Sequence, residues 1–227
     1  MKAYQQEFVE FLVEVGALSF GSFTLKSGRQ SPYFFNSAKF DTAATLERLG
    51  FFYASRVAEL KPVPTVIYGP AYKGIPLAVA TSLALRIHFG TDTAYCFDRK
   101  EAKGHGDKGL LVGHLPTESD RVVIVDDVIT DGRTKVEAIE KLRETSNAPL
   151  TGLVVALDRQ ETTADGEDPI ERVERTGDLQ VSAIATLDHV IAALAGREIG
   201  GRVLLDEETR RRIEKYRNEY GVRRRSG

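Results

Sequence analysis

Arg121-Val-Val-Ile-Val-Asp-Asp-Val-Ile-Thr-Asp-Gly-Arg-Thr134 is the stretch on which the reading of this chain turns. Residues 122–125 are apolar and β-branched, the composition of a buried parallel strand. Asp126 and Asp127 stand side by side at its C-terminal end. A short polar loop follows, Thr130-Asp131-Gly132-Arg133-Thr134, and behind it Val136, Ile139 and Leu142 recur on one helical face. Open α/β sheets bind ligands beyond the carboxyl ends of their strands. The free N–H groups and the dipole of a helix start favour a phosphate, and paired carboxylates accept hydrogen bonds from vicinal hydroxyls. Such a strand end offers a cup for phosphate and a grip for a sugar. The plainer reading is two solvated aspartates before a capped helix, yet packing gives no reason for two carboxylates at a strand's edge.

Outward from this stretch, strand and helix patterns alternate. Strands are expected at residues 65–68, 93–98, 122–125, 153–157 and 181–186, with helices at 75–89, after Thr134, at 188–194 and at 207–220. That alternation implies an α/β fold with a central, mostly parallel five-stranded sheet and right-handed crossovers. Residues 3–15 read as a helix with Phe8, Phe11, Leu12 and Val15 on one face and Gly16 as its stop. Residues 22–25 and 33–36 read as short strands around the turn Lys26-Ser-Gly-Arg29, and a second helix runs from residue 41 or 42 until Pro62 and Pro64 end it. The first forty residues stand outside the alternation. The expected organisation is therefore a small N-terminal hood over 1–40, a core over 41–222 and a basic tail over 223–227.

Composition excludes several classes. The chain has 227 residues, 42% hydrophobic and 28% charged, with a formal net charge of −2, so no global field draws in nucleic acid. A single cysteine, Cys96, rules out an intrachain disulfide and fits a reducing compartment. No apolar run approaches membrane-spanning length, and the N-terminus lacks a signal-peptide pattern. A cytoplasmic address is expected.

Three further segments carry chemistry. Gly69-Pro-Ala-Tyr-Lys-Gly74 follows the first core strand, with glycines that admit close backbone approach and Lys73 in reach of a diphosphate. It is not a P-loop, because Ile75-Pro76 stands where Lys-Ser/Thr is needed. Gly104-His-Gly-Asp-Lys-Gly109 matches the dinucleotide fingerprint in letters only. A charged run separates it from the preceding strand, and residues 110–116 do not begin a helix. The segment reads instead as a lid over residues 99–113, loosened by glycines and carrying Arg99, Lys100, Lys103, His105 and Lys108 toward a polyanion. The four histidines and Cys96 lack metal-ligand spacing. A magnesium ion brought by a phosphorylated substrate needs no more than one or two carboxylates.

Six ordered segments resemble the bacterial orotate phosphoribosyltransferases, of the type I phosphoribosyltransferase fold. They are Phe20-Gly-Ser-Phe-Thr-Leu-Lys-Ser-Gly-Arg29, Ser31-Pro-Tyr-Phe-Phe-Asn36, Gly69-Pro-Ala-Tyr-Lys-Gly-Ile-Pro76, Arg99-Lys-Glu-Ala-Lys-Gly-His-Gly106, Val125-Asp-Asp-Val-Ile-Thr130 and Leu157-Asp-Arg-Gln160. The resemblance implies transfer of a phosphoribosyl group from phosphoribosyl diphosphate (PRPP) to orotate, within pyrimidine synthesis. It implies that Lys26, Tyr72, Lys73, Arg99, Lys100, Lys103 and His105 bind PRPP and its diphosphate. Asp126, Asp127, Val128, Ile129, Thr130, Asp131, Gly132, Arg133 and Thr134 would hold the ribose hydroxyls and the 5′-phosphate. Phe34, Phe35, Thr130 and Arg159 would hold orotate. Lys73, Lys103, His105, Asp126 and Asp127 are the expected catalytic set. It further implies Mg²⁺ held by PRPP, with contact through water to Asp126 and Asp127, and a homodimer in which each lid reaches the neighbouring site.

One departure stands out. The family's loop commonly reads Thr-Ala-Gly-Thr-Ala, whereas this chain has Thr130-Asp131-Gly132-Arg133-Thr134. The backbone cup survives those changes, but the side-chain contacts to a 5′-phosphate must differ. The alternatives are a phosphoribosyltransferase for another base, which the aromatic pair and Arg159 oppose, and a non-catalytic regulator on the same fold, which the cationic lid opposes.

Overall fold

A computed structural model describes residues 1–99, 110–199 and 201–222. Lys100, Lys103, His105, the body of the expected lid and the 223–227 tail lie outside the described residues. The elements are α1 (Ala3–Glu14), β1 (Leu18–Thr24), β2 (Gln30–Phe35), α2 (Ala43–Val57), β3 (Val66–Gly69), α3 (Gly74–Phe89), β4 (Ala94–Asp98), β5 (Leu111–Gly113), β6 (Val122–Val128), α4 (Arg133–Thr145), β7 (Leu150–Asp158), α5 (Pro169–Gly177), β8 (Val181–Thr186), α6 (Leu187–Leu194), β9 (Glu198–Ile199), β10 (Arg202–Val203) and α7 (Glu207–Tyr220).

The central sheet has the order β5-β4-β3-β6-β7-β8. Its five expected strands are mutually parallel, and β5 runs antiparallel to β4 on the outer edge. The count is thus six rather than five. The sixth strand lies inside the segment read as lid, and three residues are too few to show alternation. Gly113 is required there, since it takes φ +94° and an added Cβ would stand 2.5 Å from the Tyr95 carbonyl oxygen. The helix α5 is also additional to the expected elements. It starts at Pro169, behind an Asp168 carboxylate that accepts the Ile170 N–H at 2.9 Å.

Strands β3, β6, β7 and β8 each feed two cores. On β6, Val123 and Val125 face a cluster with Phe8, Phe11, Leu12, Phe52, Tyr53 and Leu187, while Val122 and Ile124 face Ile139, Leu142 and Val173. This is the period-two alternation of a strand covered on both faces. The helix α1 belongs to the first core, since Phe8, Phe11 and Leu12 are all 0% exposed, a burial of about 1.5–3 kcal/mol each. Its Gln5 side chain donates to the Ile184 carbonyl at 2.9 Å. The β1–β2 hairpin is clamped by α7, through Tyr216 edge-on to Tyr33 at 6.1 Å and Arg212 donating to the Gly21 carbonyl.

From β3 the chain moves outward to β4, then crosses back to place β6 on the other side of β3. The carboxyl ends of β3 and β6 therefore diverge, and a crevice opens between them.

Candidate active site

The floor of the crevice begins at the tight turn leaving β3. An added Cβ at Gly69 would stand 2.0 Å from the Gly74 carbonyl oxygen, so the turn closes on itself only with glycine at that position. Asp98, at the end of β4 and 4% exposed, braces this turn. Its Oδ1 accepts the Ala71 N–H at 2.6 Å, and its Oδ2 accepts Lys141 Nζ at 3.1 Å. The turn thereby aims Lys73 across the crevice. Lys73 Nζ donates to Asp127 Oδ2 at 2.6 Å and to Ser37 Oγ at 3.0 Å, and Ser37 Oγ itself donates to Asp127 Oδ2 at 2.8 Å.

The alternation of β6 continues through the carboxylates and separates them. Asp127 turns toward Ser37 and Lys73. Asp126 turns toward α4, where Lys135 Nζ donates to its Oδ2 at 2.5 Å. The two remain coupled through the backbone, since Asp127 N–H donates to Asp126 Oδ1 and Val128 N–H to Asp127 Oδ1, each at 2.8 Å. Tyr53 OH donates to the Asp126 carbonyl at 2.7 Å and fixes the strand end from the other side. Burial pushes the Asp126 carboxyl up from its ordinary value, with the Asp127 charge adding and Lys135 opposing. Burial also pushes Asp127 upward, but the hydrogen bond from Lys73 and the charges of Lys135 and Lys73 outweigh it, so this carboxyl lies below its ordinary value.

Gly132, at φ +78°, begins α4 without a side-chain cap. The Arg133 N–H donates to Asp131 Oδ1 at 3.1 Å, and Arg133 Nε stands 3.6 Å from Asp131 Oδ2 with the arginine side chain 70% exposed. Every carboxylate from Asp126 to Asp131 thus has its own cation: Lys135, Lys73 and Arg133 respectively. Thr130 is exposed on the loop and Thr134 in the first turn of α4, Val128 is half-buried, and Ile129 packs into the second core.

At the end toward the hairpin, Arg159 is held flat. Its Nε and one terminal nitrogen donate to Glu161 Oε1 at 3.0 and 2.7 Å, and its guanidinium carbon lies 5.1 Å from the Tyr33 ring centre. Tyr33 OH donates to the same Glu161 oxygen, and Tyr216 OH donates to the other at 3.1 Å. Phe34 and Phe35 leave β2 on opposite faces. Phe34 is exposed and stacks on Phe23 at 5.5 Å, whereas Phe35 packs inward near Phe40 at 6.3 Å. Only Phe34 therefore presents a ring outward. Lys26 is exposed in the hairpin turn and Tyr72 is exposed beside Lys73. The Arg99 N–H donates to the Leu110 carbonyl at 2.8 Å and closes the root of the 100–109 segment.

Three polar partners lay beyond the sequence reading. Ser37 and Glu161 each follow directly on a segment already singled out, ending at Asn36 and Gln160. Lys135 gave no signal, because a lysine in a helix ordinarily reads as solvated.

Among proteins of known family, a phosphoribosyl transferase domain matches residues 40–187. The orotate phosphoribosyltransferase of Thioalkalivibrio sulfidiphilus is 48% identical over 222 residues, covering 98% of this chain and 100% of the relative. That of Clostridium botulinum is 39% identical over 224 residues, with 98% and 100% covered. In three dimensions, the crystal structure of Francisella tularensis orotate phosphoribosyltransferase superposes with a TM-score of 0.81 at 34% identity, over 95% of this chain and 100% of that one. Likeness of that extent, from the N-terminal helix to the last, assigns the chain to the phosphoribosyltransferase family and, within it, to the orotate phosphoribosyltransferases.

Proposed function

We propose that the crevice between β3 and β6 transfers the phosphoribosyl group of PRPP to orotate, yielding orotidine 5′-phosphate and diphosphate. The observation that carries this reading is the contact of Lys73 with Asp127 and Ser37. It sets a diphosphate-seeking cation against a hydroxyl-seeking carboxylate at the switch point of the sheet. The bond from the ribose carbon to diphosphate breaks, one from that carbon to a ring nitrogen of orotate forms, and the proton of that nitrogen is released to the departing diphosphate or solvent. No protein nucleophile takes part, so the rate comes from positioning and charge.

In this reading Lys26, Tyr72, Lys73, Arg99, Lys100, Lys103 and His105 gather the diphosphate. The 128–134 loop takes the 5′-phosphate on its backbone N–H groups, and Asp126 and Asp127 hold the ribose hydroxyls. Phe34 stacks on the base and Arg159, held flat by Glu161, meets its carboxylate. Among the described residues no group of three or more acidic, histidine or cysteine side chains could hold a metal. A Mg²⁺ ion brought by PRPP would be held by the phosphates and, through water, by the carboxylates at the end of β6, and would supply charge for the leaving group.

The working unit is a homodimer with lids exchanged between sites. Supporting this, α3 leaves Leu83 and Ile87 exposed one turn apart, and Tyr95 and Leu115 are exposed at the β4–β5 edge of the sheet. The compartment is the cytoplasm, in keeping with the free thiol of Cys96. No helix among the described residues is long and apolar enough to cross a membrane.

With PRPP and Mg²⁺ the purified protein should consume orotate, followed by loss of its ultraviolet absorbance, and use uracil and hypoxanthine far less. Equal use of uracil would remove the carboxylate role of Arg159. The altered loop gives a second expectation. Arg133 already balances Asp131, and it can swing to an incoming 5′-phosphate because its side chain is exposed. Arg133→Ala should weaken PRPP by roughly tenfold, about 1.4 kcal/mol. An unchanged dissociation constant in calorimetry would assign the phosphate to backbone N–H groups alone.

A further inference from the structure

The buried residues of α4 are Lys135, Ala138, Ile139 and Leu142. A lysine thus occupies a position on the face that otherwise meets the core, and its side chain is only 7% exposed. Stability alone does not explain it. Taking an ammonium and a carboxylate out of water costs several kcal/mol each by rough estimate, and an apolar pair of similar volume commonly does as well. What the pair achieves is orientation. Lys135 Nζ fixes Asp126 Oδ2 at 2.5 Å, and Asp126 Oδ1 accepts the Asp127 N–H at 2.8 Å. Both oxygens of Asp126 are therefore anchored, and the plane of its carboxylate is set. Through the same backbone contact Asp127 is held where it faces Lys73 and Ser37.

We propose that Lys135 is a positioning residue for phosphoribosyl transfer, which locks the Asp126 carboxylate, and through it Asp127, in the orientation that grips the ribose hydroxyls. The proposal rests on the reading of the crevice given above. Lys135 is buried behind Asp126, so its influence passes through Asp126 and falls on the ribose rather than on the diphosphate.

The test uses Lys135→Met, Asp126→Asn and the double variant, with steady-state kinetics, calorimetric binding of magnesium diphosphate and thermal unfolding. Lys135→Met should lower kcat/KM for PRPP by about 10²-fold, the scale of a misplacement near 1 Å. Its affinity for magnesium diphosphate should change by less than about threefold, the scale of an interaction left intact. The double variant should be no less active than Asp126→Asn alone, because one residue acts through the other. This arm also serves if Lys135→Met fails to fold, since the double variant buries no unpaired charge. A folded Lys135→Met protein with wild-type kcat/KM overturns the proposal, as do equal losses for PRPP and diphosphate or a further loss in the double variant. A wild-type protein that does not turn over PRPP and orotate overturns instead the reading of the crevice, and the proposal falls with it.

Discussion

Asp127→Asn should lower kcat/KM for PRPP by about 10²–10³-fold while leaving the protein folded, the scale seen when a preorganised charge is removed from a reacting centre. The substitution keeps the shape of the side chain and removes its charge. Asp127 is then no longer an anion facing a ribose carbon that gains positive character as diphosphate departs. Lys73 also loses its partner, but that matters less. Its side chain is 67% exposed, against 10% for that of Asp127, so the ammonium regains water when its partner's charge is removed. The same openness lets Lys73 leave Asp127 for a diphosphate without large cost. The two residues thus separate in kinetics. Asp127→Asn should act mainly on kcat, and Lys73→Met on both kcat and KM for PRPP. Steady-state measurements with thermal unfolding as a control check both. A folded Asp127→Asn protein within threefold of wild type would remove Asp127 from the reaction.

The parallel core was legible because its signals are periodic. Residues 122–125 form a continuous apolar run, and helices with apolar faces separate it from its neighbours, which leaves few topologies. What escaped was short or aperiodic. β5 has three residues and lies among glycines and charges. α5 has one apolar side chain on its buried face besides Pro169, that of Val173, too few for a helical stripe to show. The N-terminal helix was legible as a helix but not as part of the main core. Phe8, Phe11 and Leu12 announce a buried face, whereas part of what covers it, including Ile184 and Leu187, lies more than 170 residues away in sequence.

At the site, residue types were legible and directions were not. The sequence marks Asp126 and Asp127 as a pair, but only the strand's alternation, continued to its last residues, sends one to Lys135 and the other to Lys73. The same alternation separates Phe34 from Phe35. Partners across the fold, Ser37 for Lys73 and Tyr33 and Tyr216 for Glu161, depend on where the hairpin settles over the sheet. No local pattern encodes that placement.

Lys103→Ala and Asp127→Ala should each be nearly inactive alone, and mixing them should restore activity to roughly a quarter of wild type if the lids are exchanged between subunits. Arg99 and Leu110 close the root of the 100–109 segment at the β4–β5 edge of the sheet, along which Tyr95 and Leu115 are exposed. An apolar edge of this kind suits a second copy, and with lids exchanged between subunits a loop leaving that edge would meet the neighbour's crevice. Lys103 would then serve the partner's diphosphate, and its loss alone should lower activity by about 10²–10³-fold. Under conditions that exchange subunits, about half of the dimers are mixed at equal concentrations. In each mixed dimer one site combines an intact Asp127 with the partner's Lys103, and the other lacks both. Half of the dimers with one working site in two gives the quarter, provided the sites act independently. Subunit exchange is confirmed by native mass spectrometry of size-tagged chains, and activity is read from the loss of orotate absorbance. Confirmed exchange without recovered activity would mean that each lid closes over the site of its own chain.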